Sequence, residues 1–181
     1  MNIHFTKMHG LGNDFIVVNN LSNEFELDPQ RIALLGDRHF GIGFDQLLLV
    51  ETAAEPDIDF SYRIINVDGQ EVEHCGNGAR CFAKYVSDKG LSDKKSIVVK
   101  TVNRVLTLEI TDIGEITVDM EAPALDAASV PFITDGDGSA HSRQITVSGV
   151  TRDVEFYALS MGNPHAVISV EDLDKTSVKE I

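Results

Sequence analysis

The sequence predicts an α/β fold rich in antiparallel sheet, with a helix packed against or inside that sheet. Nine runs dense in β-branched and aromatic residues read as strands, two segments read as helices, and glycine-containing turn signals separate many of the strands.

In chain order, the strand runs are Phe15 to Val18, Gln46 to Val50, Phe60 to Asn66, Ser96 to Val99, Val105 to Ile110, Glu115 to Met120, Arg143 to Val147, Val154 to Leu159 and Ala166 to Val170. Asp68-Gly69, Ile113-Gly114 and Ser148-Gly149 mark turns. The first helix is expected from Pro29 to Leu35, because Asp28 is a good N-cap and proline suits the first helical position. The second is expected from Gly78 to Lys89, with Ala79, Phe82, Ala83 and Val86 on one face and Gly90 as its stop.

Glu121-Ala122-Pro123-Ala124 breaks the strand pattern, and a polar stretch from Thr134 to Ser142 follows. A domain junction is therefore expected near residue 120, giving domains 1–120 and 121–181. Gly12-Asn13 and Gly162-Asn163 each precede an apolar strand after two further residues, a weak internal echo of two related units. A cysteine lies 62 residues after Asn13, so its counterpart after Asn163 would fall near position 225, past Ile181.

The chain has 181 residues, 43% of them hydrophobic, which is enough for a real core. Its net charge of −14 disfavours nucleic acid and anionic membrane surfaces as partners, since both need a basic patch. No apolar run approaches a membrane span, and Met1 to Asn13 lacks the apolar core of a signal peptide, so a cytoplasmic location is expected. The two cysteines, Cys75 and Cys81, are poorly spaced for a disulfide and fit no usual zinc pattern. No metal site is expected.

Candidate chemistry centres on Cys75-Gly76-Asn77-Gly78, a cysteine immediately before a glycine-rich turn and a helix. The unsatisfied N–H groups and dipole of a helix N-terminus favour negative charge. That setting is expected to lower the thiol pKa and to give a reactive thiolate. The glycines let the backbone approach a ligand, and consecutive N–H groups can hold a carboxylate. Asn13, Gln46, Asn66, Asn77 and Asn163 lie beside glycines, strand ends or turns. Amides offer donors and acceptors without charge, which suits a zwitterionic ligand.

Nucleotide fingerprints are missing: Gly10-Leu11-Gly12 precedes a strand and lacks the third glycine of a Rossmann turn, and no phosphate-loop run occurs. No cofactor is expected. A thiolate without a cofactor can be a nucleophile or a proton-abstracting base. His165 or, less favourably, His74 could partner Cys75 in a hydrolase, although no third member of such a set is recognisable. A non-catalytic amino-acid-binding module is a further alternative, needing the amides and the turn but no reactive thiol.

Met8 to Phe15, Gly43 to Gln46, Asn66 to Gly69, Cys75 to Cys81 and Met161 to His165 together resemble diaminopimelate epimerase, in family order and across nearly the whole chain. The related proline racemases typically carry histidine where this chain has Asn77, and the phenazine-biosynthesis-like relatives usually lack the cysteine. The resemblance implies two pseudo-symmetric α/β domains, each a curved mixed sheet around a central helix, with substrate between them. It implies interconversion of LL- and meso-diaminopimelate without a cofactor, in lysine and cell-wall precursor synthesis, by a homodimer. One cysteine removes the α-proton while another delivers a proton to the opposite face.

Carried over, the resemblance makes Cys75 the first acid/base, with Gly76 and Asn77 on the substrate carboxylate. Asn13, Gln46, Asn66 and Asn163 would hold the substrate's polar groups, and His165 would tune the thiol. Cys81 takes no role beyond packing. The family chain continues further, with a second catalytic cysteine and a Glu-Arg pair. The second domain is therefore expected to be incomplete in these 181 residues, which by themselves would not epimerise by the two-base route.

Overall fold

The structure, a computed structural model, describes residues 3–26, 28–126, 130, 132–133, 140–147 and 149–176. Ser148 of the third turn signal and residues 134–139 of the polar stretch lie outside them. The chain forms two compact units, Met1–Met120 and Glu121–Ile181.

The first unit is mixed α/β. Its strands are β1 (Thr6–Gly10), β2 (Asn13–Asn19), β3 (Gln46–Glu51), β4 (Phe60–Asn66), β5 (Ser96–Lys100), β6 (Val105–Ile110) and β7 (Ile116–Val118), paired in sequence order as one seven-stranded sheet. Helices α1 (Pro29–Gly36) and α2 (Gly76–Asp88) join the parallel neighbours among the described strands, β2 to β3 and β4 to β5. Parallel neighbours need such crossovers, and crossovers are right-handed. Because β3 and β4 are antiparallel, the second crossover runs in the reverse direction across the same sheet. Two right-handed crossovers of that kind must put their helices on opposite faces.

The core follows this division. Phe15, Val17, Leu48, Val50, Tyr62 and Ile64 face α2, while the alternate residues Ile16, Val18, Leu47, Leu49 and Ile65 cluster with Ile32 of α1. Covered on both faces, β2 and β3 read as nearly continuous apolar runs, which is why their sequences show no polar alternation. Helix α2 packs against β1, β2, β3, β6 and β7, so the sheet curls round it until both edge strands reach it.

Local signals account for the ends. The Asp28 carboxylate accepts from the N–H groups of Gln30 and Arg31 at 3.0 and 3.4 Å, capping α1. At the other end of α2, Leu91 N–H bonds Val86 O at 2.9 Å and Gly90 N–H bonds Ser87 O at 3.0 Å, with Gly90 at φ 63°. These paired bonds form a Schellman stop. The helix begins two residues before the expected start, at Gly76, because Cys75 itself is its N-cap.

Strand β1 was not among the expected strands. Thr6-Lys7-Met8-His9-Gly10 is a polar edge segment recruited by a two-residue hairpin turn, Leu11-Gly12, with φ 54° and 86°. Positive φ at both positions is the twist-compatible hairpin geometry.

The second unit is a three-stranded antiparallel sheet, β8 (His141–Val147), β9 (Val150–Ser160) and β10 (Pro164–Val167), in the order β10-β9-β8. Strand β10 starts two residues before the expected run and ends earlier, because pairing opposite Ser160 to Tyr157 sets its length. Phe132, His141 and Phe156 pack as an aromatic cluster with centroids 4.6 to 5.7 Å apart. The Gly-Asn echo corresponds to two hairpins: Asn13 follows the β1–β2 turn and Asn163 lies in the β9–β10 turn. No described helix is long and apolar enough to cross a membrane.

Candidate active site

Strand direction gathers the polar residues of the first unit. Asn13 opens β2, Gln46 opens β3, which is parallel to β2, and Asn66 closes the antiparallel β4 directly opposite Gln46. All three therefore lie at one end of the sheet, and all are half-buried. The N-terminus of α2 meets that end: a Cβ on Gly10, the last residue of β1, would sit 3.2 Å from Asn77 O. Six of the expected site residues, Asn13, Gln46, Asn66, Cys75, Gly76 and Asn77, thus stand on elements that converge at one end of the unit.

Cys75 has extended backbone, φ −150°, and its sulfur accepts from Gly78 N–H at 3.4 Å as an N-cap. Its S–H donates to Asn13 Oδ1 at 3.7 Å. Burial pushes the Cys75 thiol pKa up, outweighing the Gly78 and Asn77 N–H groups and the Arg80 charge, while Asp45 adds to the rise. This corrects the expected lowering: the helix end does favour the thiolate, but desolvation of the sulfur is larger. Cys81, on the buried face of α2, is 4% exposed, with its thiol pushed up to about 11 by burial. Both cysteines are free thiols.

Amide orientations follow from their partners. Arg80 donates to Asn77 Oδ1, which leaves the Asn77 NH₂ as the side chain's donor. Gln46 Nε2 donates to Asn66 Oδ1 at 3.0 Å, while the buried Gln46 Oε1 has no partner among the described residues. A buried acceptor in this state is costly unless something donates to it. Gly76 lies under Met120, whose sulfur also meets His74 Nε2 at 3.0 Å. Among the described residues, no three His, Cys, Asp or Glu side chains converge as metal ligands would.

Beside the thiol stands a charged cluster to which sequence reasoning assigned no role. Arg38 grips Asp14 with two nitrogens at 3.1 and 2.7 Å and reaches Asp45 at 2.7 Å, while Lys7 binds Asp14 at 2.7 Å. Arg38, then Lys7, hold the Asp14 carboxyl well below the usual carboxylate range against a desolvation that raises it. Asp45 Oδ2 accepts from Asn13 Nδ2 at 2.8 Å and from Asp14 N–H at 3.0 Å. Each aspartate adjoins an amide already singled out, Asn13 or Gln46, and that adjacency was the available signal. These residues border an open cleft of about 500 Å³ lined by Lys7, His9, Asp14, Arg38 and Asp45 among others.

In the second unit, Asn163 and His165 sit exposed at the β9–β10 turn, where His165 Nδ1 lies 2.9 Å from Asn163 O.

A family model described as diaminopimelate epimerase matches residues 5–125. The diaminopimelate epimerase of Ralstonia pickettii is 50% identical over 187 residues, covering 99% of this chain and 63% of its own length. That of Pseudomonas aeruginosa PAO1 is 51% identical over 181 residues, covering 100% of this chain and 64% of its own. The chain therefore spans less than two thirds of the length of the curated relatives it matches. Among solved structures, a hydroxyproline epimerase from Agrobacterium vitis superposes with TM-score 0.66 at 14% identity, covering 95% of this chain and 53% of that one. A probable proline racemase from Agrobacterium radiobacter K84 gives TM-score 0.63 at 16% identity, covering 97% and 54%. At such identities the likeness concerns the fold alone.

Proposed function

The chain belongs to the diaminopimelate epimerase family, and on that premise we propose that it serves as a cofactor-independent epimerase of LL- and meso-2,6-diaminopimelate, in lysine and peptidoglycan-precursor biosynthesis. One observation carries the reading. The Cys75 thiol caps a helix whose first turn is Gly76-Asn77-Gly78, at the sheet end that bears Asn13, Gln46 and Asn66.

The chemistry follows from these groups. Inverting a stereocentre without turning the substrate needs an acid and a base on opposite sides. A thiolate takes the α-proton, forming S–H and leaving the electron pair on the α-carbon, delocalised into the adjoining carboxylate. A second group gives a proton to the opposite face, restoring the C–H bond. Cys75 is one of the two groups, and Cys81, buried in the core, is not the other. Gly76, the Asn77 amide and the N–H groups at the start of α2 bind the carboxylate as its charge grows. The buried Gln46 Oε1 is suited to accept from an ammonium group, with Asn66 held beside it. Asn163 and His165 join the substrate contacts in this reading, His165 tuning the thiol, on the strength of the family motif. The domain assignment 1–120 and 121–181, a homodimer and a cytoplasmic location belong to the same proposal.

Deuterium uptake at the α-carbon of LL- and meso-diaminopimelate in D₂O tests it. Uptake lost in Cys75→Ala is the expected result. Equal uptake in both proteins would overturn the reading, and diaminopimelate binding without any uptake would replace it with a non-catalytic amino-acid-binding module.

A further inference from the structure

The Asn13 carboxamide sits between two groups that fix which way it faces. On one side is Asp45, whose carboxylate can only accept. Its Oδ1 is taken by Arg38 at 2.7 Å, and its Oδ2 receives Asp14 N–H at 3.0 Å and the Asn13 side chain at 2.8 Å. The Asn13 NH₂ must therefore point to Asp45, and its oxygen is left facing the Cys75 sulfur at 3.7 Å. Asp45 is itself held in place, since its N–H bonds Asp14 O at 2.9 Å and Asp14 Oδ1 at 3.2 Å, while Arg38 and Lys7 fix Asp14.

An amide oxygen facing sulfur accepts S–H but repels S⁻. We infer that Asp45 is a positioning residue: it locks the Asn13 amide with its oxygen toward Cys75 and thereby makes the protonated thiol the resting form of Cys75. The rise of the thiol pKa with burial acts in the same direction. The other titratable or charged groups around the thiol are Arg80 and Cys81 on α2 and Tyr62 on β4, with His74 next in the chain and directed at Met120. The Asn13 side chain bonds Asp45 and Cys75, so the lock runs through Asp45.

On the epimerase reading, on which this inference rests, Cys75 is the acid in one direction and the base in the other, and the acid form is the one present before substrate binds. In the acid direction its S–H bond breaks, the proton goes to the α-carbanion, and a thiolate remains. That thiolate then faces the Asn13 oxygen, so the strained member of the cycle is the state after transfer, and it favours reprotonation of the sulfur.

The test reads the thiol with no diaminopimelate present, so it stands or falls separately from the epimerase reading. The rate of Cys75 alkylation by iodoacetamide is followed against pH, and trypsin cleavage at Arg80 puts Cys75 and Cys81 on different peptides. In Asp45→Asn the side chain can no longer offer acceptors to Arg38, Asp14 N–H and the Asn13 NH₂ together, so the hold on the Asn13 amide is lost and that amide can turn to donate to sulfur. The alkylation midpoint is expected to fall by about one pH unit, a tenfold gain in thiolate at neutral pH. In an Asn13→Ala background, the same substitution should change the rate by less than about twofold. An unmoved profile in Asp45→Asn would overturn the inference, and so would an equal shift with and without Asn13, which would mean a direct effect of charge. Should Asp45→Asn fail to fold, the Raman S–H band in Cys81→Ala protein decides: a hydrogen-bonded shift that disappears on Asn13→Ala supports the lock, and an unshifted band refutes it.

Discussion

Tyr62, wholly buried on β4, directs its hydroxyl at the carbonyl oxygen of Cys75 from 3.5 Å. The floor of the core is thereby joined to the N-cap of α2, and Gly78 is what allows the approach. A Cβ on Gly78 would overlap the Tyr62 hydroxyl and press on Leu48 at 3.3 Å. Gly78→Ala is expected to destabilise the protein by about 1–3 kcal/mol, as overpacking of a filled core does. Denaturant unfolding measures this. Tyr62→Phe removes the clashing oxygen, so a double-mutant cycle should recover part of the loss. An identical loss in both backgrounds would place the strain elsewhere.

Cys75 does two separable things: its sulfur caps α2 and it carries the proposed proton transfer. Serine caps helices well, so Cys75→Ser should keep wild-type stability or gain up to about 1 kcal/mol. The hydroxyl is far too weak an acid for the chemistry, and α-proton exchange should fall by about a hundredfold or more. Thermal unfolding and isotope exchange on one preparation compare the two effects. A Cys75→Ser protein with full exchange would remove Cys75 from the mechanism.

Asp14 links stability to acid pH. Its folded pKa is depressed, chiefly by the Arg38 hydrogen bonds. Its contribution is therefore complete above the unfolded value of about 4 and is lost as pH falls through the lower, folded value. Because Arg38 is 55% exposed, solvent screening limits the effect, and Asp14→Asn should cost about 1 kcal/mol at neutral pH. The gap between variant and wild type should close as pH drops below about 4. A gap that stays constant through acid titration would contradict the ion-pair origin.

Leu11 stands at φ 54° with 90% of its surface exposed. Left-handed backbone is costly for leucine, and the side chain returns little by packing. Leu11→Asn, giving the Asn-Gly pair that suits this hairpin turn, should stabilise by about 1 kcal/mol, read as a higher Tm. A lower Tm would mean that the leucine packs against something in solution.

Much of this was legible in the sequence, for identifiable reasons. The ends of α1 and α2 carry side-chain and glycine signals that act within a few residues, and Asp28 and Gly90 behave as their chemistry dictates. The apolar face of α2 was readable because a helix repeats its burial regularly, and Ala79, Phe82, Ala83 and Val86 are all fully buried. Strand β1 was not, because a polar edge strand owes its form to the hairpin partner rather than to its own residues. At the site, the amides and Cys75 stood out by residue type and by their turns. The Arg38–Asp14–Asp45 cluster did not, because charged residues on a chain of net charge −14 look like ordinary surface until pairing across 31 positions is seen. The direction of the Cys75 shift failed for a related reason: a helix end is visible in sequence, but the depth at which the sulfur lies is not.

The curl of the sheet around α2 also governs how this unit opens. With β1 and β7 both against the helix, only Lys84, Ser87 and Asp88 of α2 are well exposed. Backbone hydrogens of α2 can then exchange with solvent only when strands separate, so they should report global unfolding, whereas the hairpin turn at Leu11-Gly12 can breathe alone. The thiol thus caps a helix that the sheet encloses, while the turn leading into Asn13 lies outside that enclosure.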